Sequence, residues 1–176
     1  MKLKIVEVPD SLLKEKSIKV EKITPEIKTL IDDMIETMYS SNGIGLAAVQ
    51  VGKLLKIVVL DVEQKENSEK KPQIFINPEI TFYSPEKEMM EEGCLSVPEQ
   101  RASVLRSLKV KVKYQDIDMN EKEIEADGLL AHCLQHEIDH TNGIVYIDYL
   151  SKLKRDKLLR HLDKKRRQKQ EEEAWE

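Results

Sequence analysis

The chain has only two cysteines, no long apolar run and no overall excess of positive charge, and each of these shortages excludes a class of protein. Two cysteines do not suggest the disulfide framework of a small secreted domain, so we expect reduced thiols that are able to bind a metal. No segment approaches the roughly 20 apolar residues that a membrane-spanning helix needs, and we expect no membrane partner. The N-terminal sequence MKLKIVEVPD lacks the apolar core and the cleavage site of a signal peptide. We therefore expect a cytoplasmic protein.

The net charge is small but unevenly distributed. The 176 residues carry 29 Lys and Arg against 33 Asp and Glu, a formal charge of −4, which does not favour nucleic-acid binding by the molecule as a whole. Residues 151–170, however, hold ten Lys or Arg and two Asp, a local charge of +8. The length suits one domain, and the chain has no internal repeats. We predict a single metal-hydrolase domain over residues 1–176, with 151–170 a basic C-terminal helix and 171–176 a disordered tail.

Residues 135–140, with the sequence QHEIDH, contain the pattern HExxH. On a helix, His136 and His140 lie on one face and about 6 Å apart along the axis, so both imidazoles can bind one metal ion. Glu137 lies at the edge of that face, where it can act as general acid or base for a metal-bound water. The alternative for the motif alone is a polar helix with two solvated histidines.

The flanking residues favour a buried helix instead. Asp127 is a good N-cap and Asn142-Gly143 is a C-cap signal, which bounds a helix of about fourteen residues. Its apolar surface would come from Leu129, Leu130, Cys133, Leu134 and Ile138. Buried polar groups are costly unless they are paired or bind a metal, so the histidines and acids of this helix indicate a metal site.

A hydrolytic metal site usually takes three protein ligands. His132 and Cys133 share the motif helix but lie about 12 and 10.5 Å along its axis from His140, too far for one ion to reach both. His161 could bind only if the C-terminal helix folded back over the site. Cys94, in a short apolar segment after two acids and a glycine, is the better candidate. The alternative for Cys94 is an inert buried thiol.

Other elements follow from periodicity and turn signals. Thr24-Pro25 predicts the start of an amphipathic helix that ends at Ser40-Ser41-Asn42. Strands are predicted at residues 56–62, 73–76, 80–83, 110–114 and around Ile124, with a further possible strand at 144–149, and Asn77-Pro78 is predicted to turn the chain. Residues 43–52 hold two glycines backed by small residues, which permits close packing or close approach to a ligand.

Three segments, GIGLAAVQVG at 43–52, EGCLS at 92–96 and HEIDH at 136–140, occur in the order and type seen in bacterial peptide deformylases. The chain resembles that family from about residue 3 to about residue 165. The resemblance implies an α+β fold in which antiparallel strands are grouped around a central HExxH-bearing helix, with an N-terminal amphipathic helix and a C-terminal helix. It also implies removal of the formyl group from the N-terminal formylmethionine of newly made polypeptides.

The resemblance assigns roles to individual residues. One divalent ion, expected to be ferrous iron with zinc, nickel or cobalt also accepted, would be held by Cys94, His136 and His140. A metal-bound water would attack the formyl carbon, and Glu137 would act as general acid and base. Gln50 and the backbone N–H of Leu95 would hydrogen-bond the formyl oxygen as its negative charge develops.

The resemblance also implies how the substrate binds. The backbones of Gly45 and Gly93 would pair with the extended peptide, and the methionine pocket would be walled by Ile44, Leu129 and Cys133. Two residues depart from the family pattern. Val49 stands where similar sequences often have Thr, which is a nearly isosteric change. His132 replaces an aliphatic residue near the methionine pocket, which changes the polarity or shape of that pocket.

Two rival functions are considered. The first is an HExxH metallopeptidase, but its extended form HExxHxxGxxH would need a histidine where this chain has Tyr146. The second is a ribosome- or RNA-binding protein with vestigial chemistry, supported by the basic residues 151–170. For the enzyme we expect a monomer that docks on the ribosome through this basic helix. Residues 164–169 would be free to reach the ribosome, and the helix would be held to the body by Leu153, Leu158, Leu159 and Leu162.

Overall fold

The computed structural model describes residues 1–175, which form three α-helices, seven β-strands and three short 3-10 helices. The helices are α1 (Pro25–Ser40), α2 (Gly128–Thr141) and α3 (Lys152–Glu173). The strands are β1 (Gly45–Ala47), β2 (Ile57–Leu60), β3 (Gln73–Tyr83), β4 (Lys87–Cys94), β5 (Val97–Ser107), β6 (Lys109–Gln115) and β7 (Glu121–Asp127). The 3-10 helices are Ser11–Lys14, Ala48–Val51 and Tyr146–Tyr149. All strand pairs are antiparallel, so the predicted α+β class is confirmed.

Five strands form one sheet in the order β1-β2-β3-β6-β7. The predicted turn at Asn77-Pro78 is wrong, because β3 runs through it as one strand with an irregularity between Ile76 and Glu79. Asn77 adopts a φ of 51° there, and its side-chain amide bonds both the N–H and the carbonyl of Val20, each at 2.8 Å. The asparagine therefore marks a bulge that anchors the N-terminal segment, and not a chain reversal.

Strands β4 and β5 form a separate two-stranded hairpin whose tight turn contains Leu95 and Ser96. Sequence analysis identified the segment around Cys94 but not this hairpin. Its strands are rich in charged residues on their exposed sides, which obscures the alternation of a strand. The hairpin matters for function because Cys94 is the last residue of β4.

Helix α1 begins as predicted, with the Thr24 side chain accepting a hydrogen bond from the N–H of Ile27 at 3.2 Å. Its apolar face packs against β1 and β2, and the buried side chains are Leu30, Ile31, Met34, Thr37 and Met38. This confirms the amphipathic N-terminal helix.

Helix α2 is packed against both β-sheets and is buried over most of its circumference, as predicted. The Gln135 side chain fixes it to β5, since its Nε2 donates to the carbonyl of Ser107 at 2.9 Å and its Oε1 accepts from the Ser107 N–H at 3.2 Å. The helix ends at Asn142, and Gly143 has a φ of 76° and lies so close to the Lys14 carbonyl that a Cβ would overlap it. The strand considered possible at 144–149 is wrong, because this segment contains the 3-10 helix Tyr146–Tyr149.

Helix α3 starts at its Ser151 cap, as predicted, but it continues to Glu173. The disordered tail predicted from residue 171 is therefore wrong for 171–173, and the last predicted tail residue, Glu176, lies outside the described residues. Leu158 and Leu162 are buried against the body, whereas Leu153 is 75% exposed and does not anchor the helix. Within residues 1–175, no helix is both long enough and apolar enough to span a bilayer.

Candidate metal centre and substrate cavity

Three side chains from two elements converge as sequence analysis predicted. Cys94 lies at the end of β4, while His136 and His140 lie one turn apart on α2, and their ligand atoms all lie within 4.8 Å of one another. The Cys94 Sγ is 3.4 Å from the His140 Nε2. A tetrahedral ion with bonds of about 2.0 to 2.3 Å holds such atoms about 3.3 to 3.6 Å apart, so the donor set fits a divalent metal ion. His132, Cys133 and His161 are not part of this cluster.

Glu92 fixes the orientation of one ligand. The Nδ1 of His136 donates to the Glu92 Oε1 at 2.7 Å, which leaves Nε2 as the atom that can bind an ion. Burial raises the pKa of the Glu92 carboxyl, but hydrogen bonds from Arg106 and His136 outweigh that effect and lower it to about 2. Glu92 is therefore an anion held next to the centre.

Arg106 extends this network across the hairpin. Its guanidinium donates to both carboxylate oxygens of Glu92, at 2.8 and 3.0 Å, and to the Oδ2 of Asp139 at 2.6 Å. Sequence analysis missed this role for both Glu92 and Arg106. A signal was present, because Val104 and Arg106 lie on the same side of β5 and an arginine on a buried strand face needs a partner.

Glu137 is buried beside the cluster, with its Oε1 at 3.8 Å from the His136 Nε2. Its Oε2 has no hydrogen-bond partner among the described residues. Burial raises the pKa of Glu137 to about 7, against an opposing effect of His136. A carboxyl group with such a pKa can both accept and release a proton near neutral pH.

Gln50 lies on the 3-10 helix after β1, and hydrogen bonds of its side-chain amide hold it in place. Its Oε1 accepts from the Ala47 N–H at 2.9 Å, and its Nε2 donates to the Ser96 Oγ at 3.1 Å. The same Nε2 is 3.4 Å from the Cys94 Sγ. Leu95 follows Cys94 in the hairpin turn and lines the adjacent cavity. The structure thus places both predicted oxyanion-binding residues next to the metal ligands.

A cavity of about 470 Å³ opens beside the centre, between α2, the hairpin and the segment that leads into β1. Every residue predicted to bind substrate lines it: Ile44, Gly45, Gly93, Leu129 and Cys133. His132 lines it as well. The cavity is therefore continuous with Cys94, His136 and Glu137, which also contribute to its wall.

The sequence is similar to those of known proteins over most of its length. The family model described as polypeptide deformylase matches residues 2–156. The chain is 49% identical over 166 residues to a peptide deformylase of Chromohalobacter salexigens, covering 94% of this chain and 96% of that protein. It is 50% identical over 160 residues to one from Rhizobium meliloti, covering 91% of each.

Solved structures of peptide deformylases are also similar to this chain. The crystal structure of peptide deformylase from Ehrlichia chaffeensis superposes with a TM-score of 0.88 at 44% identity, over 94% of this chain and 97% of that chain. A structure from the same organism in complex with actinonin gives a TM-score of 0.87 at 48% identity, over 93% and 97% of the two chains. The crystal structure of a peptide deformylase from Legionella pneumophila gives a TM-score of 0.89 at 43% identity, over 96% of this chain and 98% of that chain.

Proposed function

The chain belongs to the peptide deformylase family, and from that membership we propose which of its residues carry out each part of the reaction. It is a hydrolase that removes the N-formyl group from newly made polypeptides and yields formate and a free amine. The observation that carries the proposal is the meeting of Cys94, His136 and His140 beside a buried Glu137 at the wall of one cavity.

Cys94, His136 and His140 would hold one divalent ion, which we propose to be ferrous iron in the cell, with zinc, nickel or cobalt able to replace it. Thiolate and imidazole ligands suit these metals better than magnesium or calcium. When bound, such an ion supplies Lewis acidity that polarises the formyl carbonyl and activates water. The Glu92 carboxylate supports this role, since it accepts the hydrogen bond from the His136 Nδ1 and so leaves Nε2 as the ring atom that would bind the ion.

Glu137 is the general acid and base of the proposal. Its Oε1 lies 3.8 Å from the His136 Nε2, where the carboxylate would accept a proton from the attacking water and deliver it to the leaving amine. Gln50 and the backbone N–H of Leu95 stabilise the charge that develops on the formyl oxygen. The Gln50 amide is held by Ala47 and Ser96, so it needs little rearrangement when that charge forms.

The substrate peptide would lie in the cavity in extended form. Gly45 and Gly93 would pair with its backbone as an added strand, and Ile44, Leu129 and Cys133 would enclose the first side chain. Relatives from Ehrlichia chaffeensis and Synechococcus elongatus have been crystallised in complex with actinonin, and we expect actinonin to bind in this cavity too.

A further part of the proposal is that α3 docks this enzyme on the ribosome. Lys165 and Arg166, which we expected to be free, instead pair with Glu99 at 3.2 Å and Glu7 at 2.9 Å on the body. Other cations remain available along a cleft of about 560 Å³ between α3 and β5, whose lining contains no carboxylate within residues 1–175. They are Lys154, Lys157, Arg160 and Lys164. Such a cleft suits RNA phosphates, and the enzyme would act as a cytoplasmic monomer of one domain.

Formate release from a formyl-Met-Ala-Ser peptide tests the proposal. Protein purified without oxygen is assayed as isolated, after chelation, and after addition of ferrous or nickel ions. We expect turnover that disappears with the metal and returns with it. Cleavage of internal peptide bonds in place of formate release would indicate the HExxH peptidase. Salt-sensitive ribosome binding without any turnover would indicate a protein with vestigial chemistry.

A further inference from the structure

Tyr146 stands at the position where the extended peptidase motif would place a third histidine, and its ring packs against a metal ligand instead. It belongs to the 3-10 helix Tyr146–Tyr149 and is 1% exposed. Its ring centroid lies 5.9 Å from that of His136, with an angle of 29° between the two ring planes. Aromatic rings at such a separation attract one another as an offset stack. Tyr146 therefore backs one face of the His136 imidazole.

The ring of Tyr146 is itself held in place by neighbouring elements. Its hydroxyl donates a hydrogen bond to the Gln100 carbonyl on β5 at 3.3 Å. The start of its 3-10 helix is secured by Asp148, whose Oδ2 accepts from the Val145 N–H at 3.0 Å. Tyr146 is not among the residues that line the substrate cavity, so a substitution there leaves the surface that the substrate meets unchanged.

The same 3-10 helix reaches His136 by a second route. The Tyr149 hydroxyl donates to the Asp139 Oδ2 at 2.8 Å, and the guanidinium carbon of Arg106 lies 4.8 Å from the centre of the Tyr149 ring. Arg106 in turn holds Glu92, which accepts the hydrogen bond from the His136 Nδ1. Because Tyr149 is 51% exposed, solvent weakens this route. The direct contact with the imidazole face is therefore the stronger of the two.

A single hydrogen bond at Nδ1 does not fix an imidazole completely, since the ring can still tilt about that atom. A tilt displaces Nε2, which is the atom that binds the ion in the proposed function on which this inference rests. Packing against the ring face opposes the tilt. A ligand that is already held in its binding orientation loses less conformational freedom when the ion binds, so the affinity for the ion is higher.

We propose that Tyr146 is a positioning residue of the metal centre. Its ring, fixed by the hydrogen bond to the Gln100 carbonyl, holds the His136 imidazole in the orientation in which Nε2 binds the ion. Tyr149 is the second, weaker positioning residue of the same 3-10 helix. This chain thus uses position 146 to orient a metal ligand, whereas the extended peptidase motif uses that position to supply one.

The test compares metal binding in Tyr146→Leu, Tyr146→Phe and the wild type. Chelator competition gives the Kd for nickel, and the visible absorption spectrum of the cobalt-loaded protein reports the geometry of the ligands. We expect Tyr146→Leu to weaken nickel binding about tenfold or more and to change the cobalt spectrum, as the loss of an orienting contact does. Tyr146→Phe keeps the ring, so we expect a Kd within about threefold of the wild-type value and an unchanged spectrum. Tyr149→Phe loses only the bond to Asp139 and is expected to lie between the two.

Phe75→Leu is the matched control, because Phe75 is also 1% exposed but packs against Tyr114 and not against a metal ligand. We expect it to lower the urea midpoint of unfolding as Tyr146→Leu does, while the Kd for nickel stays at the wild-type value. If Tyr146→Leu does not fold, Tyr146→Met provides the same comparison. Unchanged nickel binding in the aliphatic variant, or an equal loss in Phe75→Leu, overturns the role of Tyr146 alone. Failure of the wild-type protein to bind one divalent ion overturns the proposed centre, and this inference with it.

Discussion

At the scale of single residues, Glu92 is the group that makes the two histidines different. It accepts a hydrogen bond from the His136 Nδ1, whereas the His140 Nδ1 has no partner among the described residues. Glu92 is in turn held by the bidentate guanidinium of Arg106, which is itself only 5% exposed. The orientation of one metal ligand therefore depends on an ion pair that joins β4 to β5.

We expect Glu92→Ala to weaken metal binding by about 10- to 100-fold, because the ligand imidazole loses its orienting acceptor. The same change leaves Arg106 with only Asp139, and we expect it to lower the free energy of unfolding by about 3 kcal/mol. Chelator competition and urea unfolding measure the two effects. Glu91→Ala is the control, because Glu91 forms an exposed pair with Arg101 and should change the unfolding free energy by less than about 1 kcal/mol. Equal metal affinity in both variants would contradict the role of Glu92.

We expect Glu137→Gln to keep the metal and the fold but to lower kcat by about 10² or more, since the amide cannot take up and deliver the proton. The amide has nearly the same shape as the carboxylate, so packing against Gly45 is preserved. Steady-state kinetics on a protein with verified metal content provide the measurement. Nearly normal turnover in the metal-loaded variant would show that Glu137 is not the general acid and base.

At the scale of elements, the short strand β1 approaches α2 so closely that a Cβ at position 45 would force neighbouring side chains to shift. A Cβ on Gly45 would lie 2.8 Å from the Glu137 Oε1 and 2.7 Å from the Leu60 Cδ2. The glycine thus allows the strand to lie directly against the side chain proposed to move the proton.

We expect Gly45→Ala to displace Glu137 and to reduce kcat/KM by about 10² or more. A displacement of a catalytic group by about 1 Å is enough to cause a loss of that size. Gly52→Ala is the matched control. Gly52 has a φ of 86° and open space around its Cα, so alanine there strains the backbone without touching the centre. It should cost about 1 kcal/mol of stability and leave kcat/KM unchanged. Full activity in Gly45→Ala would contradict the close packing.

Elements with local signals could be predicted from the sequence. Thr24 and Pro25 predict the start of α1, since a cap acts within one helix, and Asp127 with Asn142-Gly143 predicts the bounds of α2, although the Asp127 side chain makes no capping hydrogen bond. The bulge at Asn77 could not be distinguished from a turn, because its cause is a pair of hydrogen bonds to Val20, far away in sequence. The β4–β5 hairpin was missed because its stability depends on tertiary packing that its charged exposed residues conceal.

The residues of the functional site were likewise predictable only where the signal is local in sequence. Helical spacing placed His136 and His140 together and excluded His132 and Cys133 as ligands, and the cluster in the structure has that composition. Cys94 came from the need for a ligand on another element, together with the family resemblance. Alternation along β5 indicates that Arg106 needs a buried partner, but no local rule identifies that partner as Glu92, which lies 14 positions away and meets Arg106 only after the hairpin has formed.

At the scale of the whole molecule, charge is segregated between α3 and the body. Part of the basic charge on α3 is neutralised by ion pairs within the helix or to the body, such as those of Arg166 with Glu7 and Arg167 with Asp163. The cations along the cleft between α3 and β5 are the ones that we propose to contact the ribosome. Truncation after residue 163 would therefore remove contacts to the body as well as charge, and substitutions within the cleft test docking more cleanly.

We expect the double variant Lys157→Glu and Arg160→Glu to bind ribosomes weakly, with a smaller dependence on salt concentration, because each lost phosphate contact reduces the salt slope by about one. Turnover of a short formyl-Met peptide should be unaffected. Sedimentation with ribosomes at several salt concentrations measures the binding. Lys113→Glu, on the exposed side of β6, is the control for an added acidic charge. Unchanged ribosome binding in the double variant would show that the cleft is not the docking surface.

The most direct test of the account is the metal content of three proteins purified without oxygen: wild type, Cys94→Ala and Cys133→Ala. The two cysteines are the only ones in the chain, and both line the cavity, yet only Cys94 has its sulfur within 4.8 Å of ligand atoms on both His136 and His140. We expect about one divalent ion per chain in the wild type and in Cys133→Ala, and loss of most of it, together with formate release, in Cys94→Ala. Equal metal loss in both variants, or full retention in Cys94→Ala, would contradict the assignment of the centre.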